Sequence, residues 1–250
     1  MRKFICAVGI AMGSIASAAS GADLKTGEAV LNNYVEATGG AAAYGKVHNM
    51  HMKGSMAMPA MGIKGVVTIY SSEPNKVSLS TDLAGVGKIT EGSDGTNAWS
   101  FSAMQGPQLK KGEELAESLR EAWFHKETEW RTLYKSAELN GVEDVGGKPA
   151  YKLTLTPKAG GPETQYYDKE SGLMVRHQSV RKTSFGEIPV DVSVGGYRTE
   201  CGGLKLPHSV VQSVAGQKIE LNIDSIECNA EIPADAFEPP TEVKALINKQ

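Results

Sequence analysis

The sequence predicts a β-rich fold of eleven or twelve antiparallel strands, led by one helix and interrupted by a helical pair. Three observations carry this. The 250 residues include 28 Gly and 11 Pro against five Phe and three Trp, the composition of short elements joined by many turns. From Val47 onward apolar residues recur with a period of two. A period of 3.6 occurs only near the start and between Gly112 and Ala137. The formal charge of −3 offers no clustered basic surface, so no nucleic-acid partner is expected.

Residues 1–20 read as a cleaved secretory signal. Arg2 and Lys3 precede an uncharged stretch from Phe4 to Ile15 and a small-residue run from Ala16 to Ser20. That stretch is too short to span a bilayer, and no later run reaches about 18 apolar residues. Residues 21–250 are then one exported, soluble domain, with no linker or composition shift dividing it. A helix is expected over Leu24–Thr38, where Val30, Leu31, Tyr34, Val35 and Thr38 share a face. Asp23 would cap its start and Gly39-Gly40 end it. A short Ala-rich turn, Ala41–Tyr44, follows.

The strands begin at Val47. His48, Met50, Met52, Met56 and Met58 alternate with Asn49, His51, Lys53, Ser55 and Ala57, giving one soft apolar face. The next strand sets Met61, Ile63, Val67 and Ile69 to one side, and the third sets Val77, Leu79 and Leu83 against Lys76, Ser78, Ser80 and Asp82. Such patterns mark antiparallel strands buried on one face. Further strands are expected over Gly87–Glu91, Thr96–Phe101, Ala137–Val145, Ala150–Thr156, Glu163–Tyr167, Leu173–Thr183 and Ile188–Arg198. Asp168-Lys169-Glu170-Ser171-Gly172 supplies a hairpin turn. Gly216 reads as the tip of another, between Leu206–Val214 and Lys218–Glu227, placing Val214 opposite Lys218 and Leu204 opposite Cys228. That register brings Cys201 within a few residues of Cys228, so a disulfide is expected in an oxidising compartment. Between Gly112 and Ala137, Leu115, Leu119 and Trp123 stack on one helix, and Trp130, Leu133, Tyr134 and Ala137 on a second.

Enzyme signatures are missing from the sequence: it has no GxSxG, no HExxH and no P-loop, and Gly85-Val86-Gly87 lacks the third glycine of a dinucleotide site. His125, His177 and His208 are scattered without a spaced nucleophile, and an acidic neighbour such as Asp168 or Asp191 would be chance proximity. Glu91 and Asp94 are explained by a turn. The reading is therefore non-enzymatic, with no catalytic residue and no cofactor.

Five of the nine methionines fall between Met50 and Met61, beside His48 and His51. Three readings compete: core packing by flexible thioethers, an adaptable lining for an apolar guest, and Cu(I) capture by thioethers and imidazole. Alternation turns His51 away from the methionines, against the last. Trp99 and Phe101 share a strand face, and Trp123 and Trp130 sit on the inserted helices, as either an ordinary helix-on-sheet core or a movable lid over a cavity.

Several segments recur together in a known group. They are the helix ending in Gly39-Gly40, Pro74-Asn75-Lys76, Asp94-Gly95-Thr96-Asn97-Ala98-Trp99, Tyr166-Tyr167-Asp168-Lys169-Glu170-Ser171-Gly172-Leu173, and Ile232-Pro233 with Phe237-Glu238-Pro239-Pro240. With the exported start, the chain resembles the periplasmic outer-membrane lipoprotein-sorting family, the LolA-like and LolB-like carriers. The resemblance implies a mainly β (α+β) fold, an incomplete antiparallel β-barrel of about eleven strands with covering helices, in the periplasm. It implies lipid or lipoprotein acyl chains as guests and leaves room for envelope protein partners and a transient membrane contact. Met50, Met52, Met56, Met58, Met61, Ile63, Trp99 and Phe101 are the expected cavity lining, and Leu119, Trp123 and Trp130 the lid. The family's gating arginine cannot be placed on Arg120 or Arg131 by motif. Alternatives are a periplasmic Met/His-rich copper-binding protein and an envelope sensor or scaffold on the same fold.

Overall fold

The computed structural model describes residues 23–183 and 186–249. The expected secretory signal lies outside the described residues. Helix α1 (Gly27–Ala37) is capped by Thr26, whose hydroxyl accepts from the Ala29 amide at 3.1 Å. The expected cap Asp23 instead pairs with Lys169 at 2.7 Å. The helix stops at Gly39-Gly40, whose φ values of +127° and +80° suit only glycine, and the short α2 (Ala41–Tyr44) follows.

Strand β1 (Asn49–Met58) leads through a 3₁₀ turn into β2 (Ile63–Ser72), then β3 (Lys76–Leu83), β4 (Gly87–Ser93), β5 (Ala98–Ser102) and β6 (Gly106–Leu109). The inserted segment holds α3 (Gly112–Glu121) and α4 (Trp130–Leu133). The sheet then resumes with β7 (Tyr134–Val145), β8 (Lys148–Pro157), β9 (Glu163–Asp168), β10 (Met174–Thr183) and β11 (Gly186–Gly195). A small ribbon, β12 (Arg198–Glu200) with β13 (Leu204–Leu206), precedes β14 (Ser209–Val214), β15 (Gln217–Cys228) and the C-terminal α5 (Thr241–Ile247). Among the described residues, thirteen strands form one antiparallel sheet in the order β6-β5-β4-β3-β2-β1-β15-β14-β11-β10-β9-β8-β7. The ends β6 and β7 do not pair, so the barrel is incomplete, as expected. Helix α5 lies along edge strand β6, which shields that edge from pairing with another chain.

Four expectations are corrected. The second inserted helix is a single turn: Tyr134 and Ala137 belong to β7, where a bulge between Tyr134 and Ser136 lets both share a face, opposite Pro157 and Leu155. The run Ile188–Arg198 breaks at Gly195-Gly196, and Leu206–Val214 breaks at Pro207-His208, which frees β12 and β13 to pair as a separate ribbon. The last hairpin turns on two residues, Ala215 and Gly216 at φ +48° and +79°. Val214 therefore faces Gln217 rather than Lys218, and Leu204 faces Glu200 rather than Cys228. The strand total, thirteen plus two, exceeds the expected eleven or twelve for these reasons and because the Pro-bearing β6 carries no alternation.

Two clusters close one end of the curl. Val30, Leu31 and Tyr34 of α1 pack on Tyr151, Leu153, Leu155 and Tyr167 of β8 and β9. Val35, Tyr44 and Val47 pack with Leu204, against Met50, Phe124 and the Cys201–Cys228 disulfide. Helix α1 approaches β7 so closely that a Cβ on Gly27 would lie 2.3 Å from the Ala137 carbonyl oxygen. Gly27→Ala is therefore expected to lower stability by ~1–3 kcal/mol, the usual cost of overpacking, although alanine favours helix. Urea unfolding of the variant checks this; an unchanged midpoint would contradict the close docking.

Candidate functional site

Pairing carries one face of β1 around the sheet. Met50 faces Ser71, Ser71 faces Val77, Val77 faces Ser93 and Ser93 faces Ala98. In the other direction Met50 faces Cys228, Met56 faces Leu221, Leu221 faces Val210 and Val210 faces Val194. His177, Gln165 and Leu153 continue this face from Val192. Helix α3 reaches both β5 and β10, far apart in the strand order, so this is the inner face of a curled sheet.

Much of that face is apolar and only half-buried. Met52, Met56, Met58, Ile63 and Ile69 meet Leu221, Ile226, Val210 and Val192 across adjacent strands, and each keeps part of its surface in water. A solid core would have buried them, and an ordinary outer face would have been polar. Beside them Val67, Leu83, Val190 and Ile223 on the same face are buried, so the strip is an open margin along a packed band.

One side is covered by α3 and the 122–129 segment, which enclose three neighbouring cavities. The first, about 90 Å³, lies among α1, α3, α4 and strands β7–β10 and is walled by Tyr34, Arg120, Trp130, Leu155, Glu163 and His177 with eight other residues. The second, about 190 Å³, is walled by Met50, Val77, Trp123, Phe124 and Leu206 among others. The third, about 210 Å³, runs between α3, β3, β4 and Arg181 of β10. Glu121 lines all three. Each is smaller than the ~300 Å³ at which ligand pockets usually begin, so none of the three would enclose a long chain.

The cover is tethered at both ends. Phe124 donates its amide to the Pro74 carbonyl at 2.9 Å, and the His125 imidazole meets the Glu73 carboxylate. His125 and His48, the latter at 3.0 Å, hold the Glu73 carboxyl below its ordinary value. Trp123 donates to Glu129 at 2.8 Å. Within α3, Arg120 is buried, 8% exposed, donating to the Ala159 carbonyl at 2.8 Å and to Glu163 at 3.5 Å. Glu163 also accepts from Tyr134 at 2.5 Å and Gln165 at 2.9 Å and faces His177 at 3.4 Å. Burial alone would raise the Glu163 carboxyl, but His177, Tyr134 and Arg120 outweigh it and hold it below its ordinary value. Burial likewise opposes charge on His177, yet Glu163 raises it above the ordinary histidine value.

The expected lining residues fall in different places. Met50 is in the wall of the second cavity. Met52, Met56, Met58 and Ile63 lie on the open strip, outside the three cavity walls. Met61 sits in the 3₁₀ turn after β1, 59% exposed. Trp99 and Phe101 are on the other face of the sheet from Met50, since Ala98 continues the inner face; Trp99 lies against Gly92 and is 2% exposed. Of the expected lid residues, Trp123 and Trp130 line cavities, while Leu119 is half-buried on α3 outside them. His51 stacks on Tyr70 with ring centroids 4.5 Å apart, across the sheet from the methionines. Among the described residues no group of three His, Cys, Asp or Glu could hold a metal ion. The buried Arg120–Glu163–His177 cluster was missed, although Arg120 in an otherwise amphipathic helix was a visible signal.

An open antiparallel sheet curled around an apolar inner face and capped by helices defines the class of fold. No family model matches the chain, and no curated protein matches it by sequence. Among solved structures it is similar to a LolA superfamily protein from Nitrosomonas europaea, with TM-score 0.57 and 12% identity over 86% of this chain and 99% of that one. A domain named for outer membrane lipoprotein sorting, from Vibrio parahaemolyticus, gives 0.56 and 12% over 85% and 97%. A DUF1329 family protein from Desulfovibrio piger gives 0.56 and 14% over 84% and 96%. The chain therefore has the LolA-like fold that the sequence resemblance implied.

Proposed function

We propose that this protein is an exported, non-enzymatic carrier that holds lipid or lipoprotein acyl chains along the inner face of its half-barrel. Residues 1–20 are the leader, 21–250 the carrier domain, and the periplasm its compartment, in keeping with the Cys201–Cys228 disulfide. The observation that carries the reading is the half-buried apolar strip of Met52, Met56, Met58, Ile69, Leu221 and Val210 on the concave side. Each methylene sequestered there contributes about 0.8 kcal/mol, so a short length of chain gives useful affinity without a charged contact. The methionines repack around chains of different shape. Envelope proteins that load or unload the guest, with brief contact at a membrane, are the partners such a carrier needs.

Organic extraction of the purified full chain, followed by mass spectrometry, is expected to recover lipid. Met56→Asp places a carboxylate opposite Leu221 on the strip and is expected to reduce recovered lipid by about tenfold, because ionised groups oppose burial against hydrocarbon. A wild-type protein that is consistently empty and ignores fluorescent fatty acids would overturn the reading.

A further inference from the structure

The first cavity differs from the strip in chemistry. At about 90 Å³ it has room for roughly three waters, too little for an alkyl chain but enough for one polar linkage. Three of its wall residues carry buried nitrogens without a hydrogen-bond partner among the described residues: Arg120 Nε, Trp130 Nε1 and His177 Nε2. The last lies 3.4 Å from the Glu163 carboxylate, an ion-pair distance, which leaves the Arg120 and Trp130 donors with nothing opposite them. Unpaired buried donors are rare, and two in one small cavity mark a place for an acceptor. The Arg120 guanidinium cannot turn away to find another, since its Nη atoms are held by the Ala159 carbonyl and Glu163.

The charges around the cavity select the kind of acceptor. Arg120, Lys126 and His177 stand against Glu121, Glu127 and Glu163 in its wall. An anion would meet three carboxyl groups, and a cation would meet Arg120 and Lys126. The oxygens of Glu163 are already engaged by Tyr134, Gln165 and Arg120, and the buried wall atoms left without a partner are nitrogens, not carboxylate oxygens. The cavity also borders the strip: His177 in its wall pairs with Val192 on the inner face.

We propose that this cavity is a subsite for an uncharged carbonyl, the ester or amide linkage of an acylated lipid, with Arg120 Nε and Trp130 Nε1 donating to it while the alkyl chain lies along the strip. The inference rests on the carrier reading above. It adds that the guest is recognised at its linkage and not only by hydrocarbon burial.

The test compares ligands of one chain length on the full chain: methyl palmitate, N-methylpalmitamide, hexadecyl methyl ether and palmitate. Each displaces a fluorophore carried on a plain alkyl chain. The ester, the amide or both are expected to bind about tenfold more tightly than the ether, the worth of two modest hydrogen bonds. The leading arm identifies the source of the carbonyl. Trp130→Phe is expected to shrink that ratio to about threefold or less, a change in ratio that general loss of folding would not produce. Ether bound as tightly as both carbonyl ligands, palmitate bound more tightly than either, or an unchanged ratio in Trp130→Phe overturns the subsite and leaves the carrier standing. Binding of none of the four overturns both.

Discussion

Arg120→Ala is expected to be the most damaging single substitution on the inner face, lowering stability by about 3–5 kcal/mol. That is the usual effect of removing one partner from a buried ion pair. Arg120 and Glu163 are 8% and 1% exposed at the side chain, so loss of the guanidinium strands a carboxylate out of water. The hydrogen bonds from Tyr134 and Gln165 remain, which places the effect toward the lower end. Adding Glu163→Gln should restore part of the loss, because an amide needs less compensation than a charge. Urea unfolding of the two single variants and the double variant measures the coupling; strict additivity would mean that the pair is not coupled.

The same cluster sets a pH dependence whose sign follows from its two shifts. Glu163 titrates below its ordinary 4.5 in the folded chain, so its contribution is present above about pH 4.5 and is lost as pH falls through the lowered value. His177 titrates above its ordinary 6.5, so its contribution is complete below pH 6.5 and is lost as pH rises through the raised value. The cluster is therefore strongest between the two. In Glu163→Gln the His177 imidazole should titrate lower than in the wild type, as followed by its NMR signals. An unmoved titration would remove Glu163 as the cause.

The second large effect is expected at the disulfide. Cys201 and Cys228 are 27 residues apart, with Cα atoms 5.5 Å apart, and a loop of that length contributes about 3–4 kcal/mol by restricting the unfolded chain. The bond ties the end of β15 to the turn between β12 and β13, where Leu204 and Tyr44 close the barrel's end. The Cys201→Ser, Cys228→Ser double variant should melt well below the wild type, and dithiothreitol should reproduce the shift in the wild type alone. A melting curve indifferent to reductant would show that the cross-link carries no stability.

The strands were legible because their signal is local. The Met50–Met58 alternation specifies one apolar face whatever lies beside it, and the Asp168–Gly172 turn specifies its hairpin: Asp168 accepts from the Ser171 amide at 2.7 Å. The expected register places the two cysteines together although the observed hairpin is shifted by one residue. Cys201 arrives beside Cys228 because the β12–β13 ribbon folds back, with Cys201 itself at φ +51°. The helix expected over Trp130–Ala137 failed because four apolar residues at i, i+3, i+4 and i+7 also allow a helical turn followed by a strand.

By itself the sequence determined the β-rich class, the leading helix, the apolar face of β1 and the candidate disulfide, since periodicity and turn chemistry act over a few residues. The tertiary structure alone decided which faces coincide. Trp99 left the methionine side because each hairpin register between β1 and β5 carries the parity onward, and one residue more or less reverses it. It also decided that Arg120, Glu163 and His177 meet, across segments whose separation no local pattern encodes. Burial in the curl of the sheet is what couples their charges.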